Sequence, residues 1–418
     1  MRKQNSPSGA RPAHTLYPIR VTYVRELSMA TLNPTADPSP RRPIPWYLWC
    51  AALAVTSVTI GAHWDVSWHR SIGRDSFWTP AHMAIYACGI LAGICCGYLI
   101  LSTTFVRKSQ MVAASVRVLG FRGPLGAFLA AWGGIAMLTS APFDNWWHNA
   151  YGLDVKIVSP PHTLLMLGIW AVCIGTLFLI TAAMNQAAGV PAKAEQFRNL
   201  QLLLLYIAGL MLVLSMFFRM EYTWDVYLHS ARPYISVALG TPLYLAAIHI
   251  CSRNRWASTW MSLVYMAVHI GLILILPLFP AEPKLGPVYQ HVTQFIPPKF
   301  PMLLIIPAMV FDLLLMRADK WKPWLLALAA GPAFILSFVA VEWPFGSFLM
   351  TRAAANRFFG TGYHDYGTPS WSADVTRQFI QPEHGLILWK GLLMACVYAA
   401  ISTWLGLALG RWMRKIQR

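Results

Sequence analysis

The sequence predicts an all-α membrane protein, a polytopic helix bundle of about ten transmembrane helices built from repeated helix hairpins. Hydrophobic residues make up 56% of the 418-residue chain and charged residues only 12%, well below the share in a soluble domain. Apolar runs long enough to cross a bilayer recur along the chain. Nineteen tryptophans and sixteen tyrosines suit the aromatic belts at membrane interfaces.

Residues 1–45 form a polar, basic, Pro- and Ser-rich tail that we expect to be disordered and cytoplasmic. This tail lacks the apolar core of a signal peptide. Met29 begins a second methionine-led stretch, so that translation starts at either Met1 or Met29. The transmembrane bundle is predicted over residues 46–418.

Ten apolar segments are predicted to span the membrane, and the largest piece between two of them is the Gly- and aromatic-rich stretch 343–385. The predicted spans are 46–63, 80–105, 122–142, 160–184, 200–218, 233–251, 257–279, 300–316, 324–342 and 386–410. The eighth is short for a full crossing. The seven cysteines lie mostly inside these segments without a CxxC motif, which favours buried small residues over disulfides or metal ligands.

The formal charge of +17 comes from lysines and arginines that separate the apolar runs rather than cluster on one domain. They are concentrated in the connections after even-numbered spans, and such residues favour the cytoplasmic side. We therefore expect a multi-pass protein of the cytoplasmic (inner) membrane with both termini cytoplasmic. The bilayer is the expected partner, and nucleic acid is not.

Two stretches about eighty residues apart repeat the same polar residues at the same spacing. In each copy an Asp precedes a Trp-His pair, a Gly and a second Asp follow, and a proline leads to a second His. The first copy contains Asp65, Trp68, His69, Gly73, Asp75, Pro80 and His82; the second contains Asp144, Trp147, His148, Gly152, Asp154, Pro160 and His162. Twelve residues separate the two histidines of the first copy and thirteen those of the second. This match predicts an internal duplication of hairpins 46–119 and 122–199.

A third segment, 200–256, ends its first helix with Asp225 and His229 at the same Asp-x3-His spacing. It lacks the Pro-x-His that follows in the other copies, which indicates a degenerate third copy. The predicted topology places all three motifs on the outer side of the membrane.

The repeated residues suit a metal site. Asp and His four positions apart lie on one face of a helix, and a histidine from the next helix supplies a third ligand. Candidate ligands are therefore Asp65, His69, His82, Asp144, His148 and His162. Asp75 and Asp154 are expected to orient the histidine rings from behind. Such a ligand set suits copper, iron or zinc. The alternative is a hydrogen-bond network that closes each helix hairpin.

Other ionisable residues are weaker candidates. Asp225, His229 and His384 are possible further ligands, and His291, His364, Asp365 and Glu383 are expected on the same outer side. Asp312 and Glu342 are intramembrane carboxylates, which are functional candidates by default, although Asp312 can instead pair with a neighbouring helix. His249 and His269 are interpreted as packing histidines. No catalytic acid, base or nucleophile is assigned.

Residues 74–82, Arg-Asp-Ser-Phe-Trp-Thr-Pro-Ala-His, resemble the Arg-Asp-Thr-Asp-Phe-Thr-Pro-Ser-His stretch of the C subunit of ammonia and particulate methane monooxygenases. The Asp-x3-His-x12-His spacing of Asp65, His69 and His82 is also similar to that subunit's metal site. The resemblance implies a membrane-embedded copper site formed by these three side chains. Unlike that subunit, this chain carries a duplicated motif and about ten predicted helices.

Three functions follow from these observations. The first, implied by the resemblance, is a copper-dependent membrane oxygenase or oxygenase subunit that takes a small apolar substrate and works beside other membrane subunits or a soluble copper-domain subunit. The second is transport or handling of a metal such as copper. The third is a haem protein with His82 and His162 as axial ligands.

Overall fold

Two hairpins of long helices form the first half of the fold. α1 (Trp46–Ser71) packs against α2 (Pro80–Phe105), and α3 (Leu125–Tyr151) packs against α4 (Pro160–Ala187). Pro80 and Pro160 each occupy the first helical turn. Backbone N–H groups in that turn have no carbonyl acceptor within the helix, so the lack of an N–H in proline removes no helical hydrogen bond. The computed structural model describes residues 43–417 except 74, 107–111, 114, 153–157, 223–227, 285–291, 319, 350 and 360–381.

A short β-hairpin joins the two helix hairpins. β1 (Val116–Val118) pairs antiparallel with β2 (Phe121–Gly123), with Val118 opposite Phe121. The two turn residues, Leu119 and Gly120, both have positive φ angles of 48° and 89°. This is the backbone of a tight two-residue hairpin turn, whose twist matches that of the strands.

The second half contains both full-length and broken helices. They are α5 (Ala194–Tyr222), α6 (Arg232–Ala238), α7 (Thr241–Ser252), α8 (Ala257–Ile275), α9 (Ile305–Leu315), α10 (Pro323–Leu349) and α11 (Gly385–Met413). Short 3-10 turns cover Pro191–Lys193, Leu276–Leu278 and Arg352–Ala354. The described part of the chain is therefore an all-α bundle, as the sequence predicts.

Eight helical segments of the described chain are long and apolar enough to cross a membrane. They correspond to the predicted spans two to seven, nine and ten, which confirms a multi-pass membrane protein. The sixth is broken at Leu239 and Gly240 into α6 and α7. The eighth predicted span forms only α9, whose 11 residues extend about 16 Å, roughly half the thickness of the hydrocarbon core.

Two helices continue beyond the predicted ends of their spans. α1 is not among the eight apolar segments; it runs 26 residues to Ser71 rather than ending at 63. α3 runs to Tyr151 rather than 142 and contains Pro142. The first histidine of each motif is therefore helical and lies in the final turns, so that its spacing from the preceding Asp is a true i to i+4 pair.

Glycines allow α3 and α4 to approach closely. A Cβ atom added at Gly133 would lie 2.6 Å from the carbonyl oxygen of Gly168, and one added at Gly168 would lie 2.8 Å from that of Gly133. Small residues at such crossings let backbones pack by direct contact, which drives helix association in membranes. All seven cysteines have free thiols and five are buried, as predicted.

Candidate metal centre

The last turns of α1, the loop that follows and the first turn of α2 bring four ionisable side chains together. Asp65 and His69 project from the same face of α1. The chain turns at Gly73, whose φ of 84° lies in the region that favours glycine, and returns through Asp75. α2 then begins at Pro80 and presents His82 in its first turn.

The two histidines direct Nε2 at the two carboxylates. His82 Nε2 lies 3.2 Å from Asp65 Oδ1 and 3.2 Å from Asp75 Oδ2. His69 Nε2 lies 3.4 Å from Asp75 Oδ2 and 3.9 Å from Asp65 Oδ2. We refer to Asp65, His69, Asp75 and His82 as the first cluster.

Asp75 lies inside the first cluster, whereas the sequence predicts that it orients a histidine ring from behind. Its carboxylate is within 3.4 Å of both Nε2 atoms. Hydrogen bonds from His69 and then His82 hold the pKa of Asp75 well below its usual range, so that it stays ionised. The spacing of Asp75 six residues after His69, repeated in the second copy, is the sequence signal for this role.

A backbone carbonyl, rather than a carboxylate, fixes the ring of His82. Its Nδ1–H donates to the carbonyl oxygen of Ser76 at 3.0 Å. Thr79 holds that loop in place, since its hydroxyl accepts from the Ser76 N–H at 2.8 Å and donates to the Ser76 carbonyl at 2.7 Å. This bond leaves Nε2 of His82 facing the carboxylates, the arrangement that metal-binding histidines commonly show.

The spacing of these atoms fits a metal ion. One ligand atom each from Asp65, Asp75 and His82 lies within 4.8 Å of the other two. Two ligands of a tetrahedral ion with bonds of 2.0–2.2 Å are about 3.3–3.6 Å apart, close to the separations of 3.2 to 3.9 Å seen here. His69, whose side chain is 48% exposed, lies on the open side of the cluster.

A similar arrangement closes the second helix hairpin. Asp144 of α3 places Oδ2 3.4 Å from Nε2 of His148 and Oδ1 3.5 Å from Nε2 of His162, which begins α4. The ring of His148 is held by a hydrogen bond from Nδ1 to the carbonyl of Gly152 at 3.1 Å. We refer to Asp144, His148 and His162 as the second cluster. Asp154 lies outside the described residues.

The remaining candidates, which the sequence predicts on the outer side, are not brought to either cluster by any described contact. His229 packs its ring against Trp343 and its Nε2 lies 2.9 Å from the hydroxyl of Ser347. His384 is the exposed residue that precedes α11, and Glu383 accepts a hydrogen bond from the N–H of Ala231. Asp225, His291, His364 and Asp365 lie outside the described residues.

Asp312 caps a helix. Its carboxylate is fully buried and accepts hydrogen bonds from the N–H groups of Ser258 and Thr259 in the first turn of α8. It also accepts one from Nδ1 of His249 at 2.7 Å. The sequence left open that Asp312 pairs with a neighbouring helix. The structure contains this pairing, in which the carboxylate caps the start of α8.

Glu342 likewise joins two parts of the chain. It is buried in α10, and its Oε2 accepts a hydrogen bond from the N–H of Leu303 at 2.9 Å. This bond satisfies a backbone donor just before α9 begins at Ile305.

No protein-family model matches the chain, and no curated protein and no solved structure is significantly similar to it.

Proposed function

We propose that this integral membrane protein binds a metal ion at the first cluster. The observation that carries the proposal is the convergence of three ligand atoms from α1, the following loop and the start of α2 within 4.8 Å of one another. Two ionised carboxylates would balance the charge of a divalent cation. The partial burial of Asp65, Asp75 and His82, with His69 more exposed, leaves a side open to an exogenous ligand.

Copper is the metal that we propose for this cluster. Imidazole nitrogens combined with carboxylate oxygens suit several first-row metals, and among divalent ions Cu²⁺ forms the most stable complexes with a given N/O site. The similarity of residues 74–82 to the C subunit of copper membrane monooxygenases supports the same choice. Iron and zinc are the alternatives that the ligand set allows.

The second cluster is proposed as a related site from an internal duplication. Each copy places the carboxylate of its first Asp between two histidines, with the second histidine in the first turn of the next helix. The glycine that follows the first helix of each hairpin also has the same backbone conformation in both copies, since Gly73 and Gly152 have φ angles of 84° and 86°.

For the metal centre we propose an oxygenase-like role, as a subunit of a copper-dependent membrane oxygenase. Bound copper would supply redox chemistry with oxygen, while Asp65, Asp75 and His82 would hold it at the edge of the bilayer. Small apolar molecules partition into the surrounding lipid, which makes them the expected substrates. Other membrane subunits or a soluble copper-domain subunit are the proposed partners. We place the protein in the inner membrane with both termini cytoplasmic and the clusters at the outer face.

The geometry supports this role better than the two alternatives. Transport requires ligands along a path through the membrane, and both clusters instead lie at helix ends joined by a loop. A haem bound through Nε2 of His82 would bring its wide macrocycle against the two carboxylate oxygens that lie 3.2 Å from that atom. Such surroundings favour a small cation.

Metal content tests the proposal. The full chain would be purified in detergent, loaded with Cu²⁺, desalted and analysed for metal, beside His82→Gln and His162→Gln variants. His384→Gln, which removes an exposed histidine outside both clusters, is the matched control. We expect His82→Gln to lose about one copper per chain and the control to lose none. Equal copper content in wild type and His82→Gln would refute the site.

The oxygenase role needs a separate experiment. Membranes that contain the chain together with its proposed partner subunits would be given a small hydrocarbon or ammonia, a two-electron reductant such as a quinol, and ¹⁸O₂. We expect labelled oxygen in the product with the wild type and none with Asp65→Asn. Metal binding without any ¹⁸O incorporation in either sample would retain the metal site and reject the oxygenase.

A further inference from the structure

Two arginines face each other across the β-hairpin that joins α2 to α3. The register pairs Arg117 of β1 directly with Arg122 of β2. Residues directly opposite each other in an antiparallel pair project from the same face, where their side chains interact. Like charges in that position repel each other and destabilise the hairpin, unless an anion lies between them.

Hydrogen bonds to α2 show that this is the closer of the two kinds of cross-strand pair. The N–H of Arg122 donates to the hydroxyl of Thr104 at 2.8 Å, and the same hydroxyl lies 3.1 Å from the carbonyl oxygen of Arg122. Both backbone groups of Arg122 therefore face α2 rather than Arg117. In an antiparallel pair without hydrogen bonds between the opposed residues, the Cα atoms are only about 4.5 Å apart.

No acidic side chain of the described chain contacts either arginine. The connection between α2 and α3, residues 106–124, contains four arginines and lysines and neither Asp nor Glu. The first carboxylate of α3 is that of Asp144, about 29 Å along the helix from Leu125. Neither guanidinium forms an ion pair or a hydrogen bond with another described residue. An external anion therefore suits this pair of charges.

The arginines project from the open face of the hairpin. A Cβ atom added at Gly123 would lie 3.0 Å from the side chain of Ile100 in α2 and 3.4 Å from that of Phe128 in α3. Because side chains alternate along a strand, Gly123 and the arginines lie on opposite faces. The Gly123 face is thus packed against the helices. On the other face, Arg117 is exposed and Arg122 half-buried.

The hairpin lies at the level where lipid head groups are expected. It joins two candidate membrane spans, and Gly123 is only two residues from Leu125, the first residue of α3. Phe105 at the end of α2 and Leu119 in the turn are 72% and 86% exposed. Exposed apolar side chains beside arginines at the end of a span suit the bilayer interface, where long basic side chains extend towards the phosphates.

We propose that Arg117 and Arg122 form a binding site for the phosphate of an anionic phospholipid. A guanidinium binds phosphate oxygens through paired hydrogen bonds, and two guanidinium groups on one face can share one phosphate. Free phosphate has the same chemistry, but a lipid also brings acyl chains that can pack beside Phe105 and Leu119. Basic residues just cytoplasmic of a span commonly bind anionic head groups, and the proposed orientation places the hairpin there. The metal clusters lie at the opposite ends of α2 and α3.

Lipid binding to the delipidated full-length chain tests this site. Phosphatidylglycerol is titrated into the chain in a neutral detergent, and bound lipids are counted by native mass spectrometry. The Arg117→Gln, Arg122→Gln variant is compared with wild type and with Arg255→Gln, Lys320→Gln, a control that removes two exposed basic residues from other connections. We expect the hairpin variant to lose one tightly bound phosphatidylglycerol, with affinity reduced about tenfold or more, and the control to keep it.

Reversing one charge separates lipid binding from a folding defect. Arg122→Glu places a carboxylate opposite Arg117, so that repulsion becomes attraction. Without lipid this variant should unfold at or above the temperature of wild type, and phosphatidylglycerol should protect it less than it protects wild type. Earlier unfolding of lipid-free Arg122→Glu would contradict the repulsion between the arginines. Equal phosphatidylglycerol binding by wild type and both hairpin variants would overturn the site. Equal protection of wild type by phosphatidylcholine or by inorganic phosphate would overturn its assignment to an anionic lipid.

Discussion

At the residue scale, the central feature is that Asp75 belongs to the first cluster and does not lie behind it. With Asp65 it provides two negative charges beside two imidazoles, and its low pKa keeps it ionised. His82 is oriented from its other nitrogen by the Ser76 carbonyl. In the second cluster Asp144 makes the corresponding contacts to His148 and His162.

Replacing Asp75 tests its place in the cluster. Asp75→Asn keeps the shape of the side chain but removes its charge and one potential ligand oxygen. We expect metal affinity to fall by about 10–100-fold or more, the size of effect seen when groups around a metal site are removed. A competition titration with a metal chelator measures it. Ser76→Ala, which changes the same loop but keeps the carbonyl that holds His82, should stay close to wild type.

At the element scale, two kinds of contact hold the helices in place. α3 and α4 approach through glycines, and α8 is capped at its start by Asp312 from α9. The first contact depends on the absence of a side chain. The second depends on a buried carboxylate whose hydrogen bonds replace those it would make with water.

Gly133→Ala tests the close approach of α3 and α4. The new methyl group would lie 2.6 Å from the Gly168 carbonyl oxygen and 2.7 Å from the Val172 nitrogen, so the helices must separate. Overpacking of this kind costs about 1–3 kcal/mol. Thermal unfolding in detergent should show a clear fall in melting temperature. Gly93→Ala, where nothing lies within 4 Å, is the matched control and should not show it.

Asp312→Ala tests the cap on α8. It leaves His249 and two backbone N–H groups without their acceptor, and breaking a buried pair by removing one partner costs about 3–5 kcal/mol. We expect strong destabilisation measured by thermal unfolding, with copper still bound at the first cluster in the folded fraction. Loss of copper at full stability would instead assign Asp312 a role in metal binding.

The elements were largely predictable from the sequence, because long apolar runs and the prolines at 80 and 160 define where spans begin. The residues at which the helices end were less predictable. Asp65, His69, Asp144 and His148 are polar, which made α1 and α3 look shorter than they are. In the folded hairpins Asp65 and Asp144 contact the histidines His82 and His162 at the start of the next helix, which gives these polar turns partners. The pairing of Arg117 with Arg122 was not predicted, because strands of three residues are too short to recognise within a basic connection.

At the scale of the whole molecule, the bundle is organised so that chemistry lies at helix ends and packing lies between them. Eight helical segments of the described chain are long and apolar enough to span a membrane, and each of the first two hairpins carries an Asp/His cluster at its turn. The residue composition predicted the membrane class, and the repeated motif predicted which histidines and carboxylates meet. Orientation across the membrane follows only from the distribution of basic residues.

Site-specific labelling tests that orientation. A cysteine placed at Leu119, 86% exposed in the β-hairpin, should react with a membrane-impermeant thiol reagent only from the cytoplasmic side. A cysteine placed at Trp78, 71% exposed in the loop of the first cluster, should react only from the outer side. The unaltered chain, whose seven thiols are buried or half-buried, is the control. The reverse pattern would place the clusters on the cytoplasmic side.

Locating the metal in crystals of the copper-loaded protein is the most direct test of the central claim. Anomalous diffraction collected on both sides of the copper absorption edge reports the position of copper without any variant. We predict a copper peak between Asp65, Asp75 and His82, within about 2.0–2.2 Å of their ligand atoms. Data that show no copper peak there, in crystals where this hairpin is well ordered, would contradict the account and leave the cluster as a hydrogen-bonded hairpin closure.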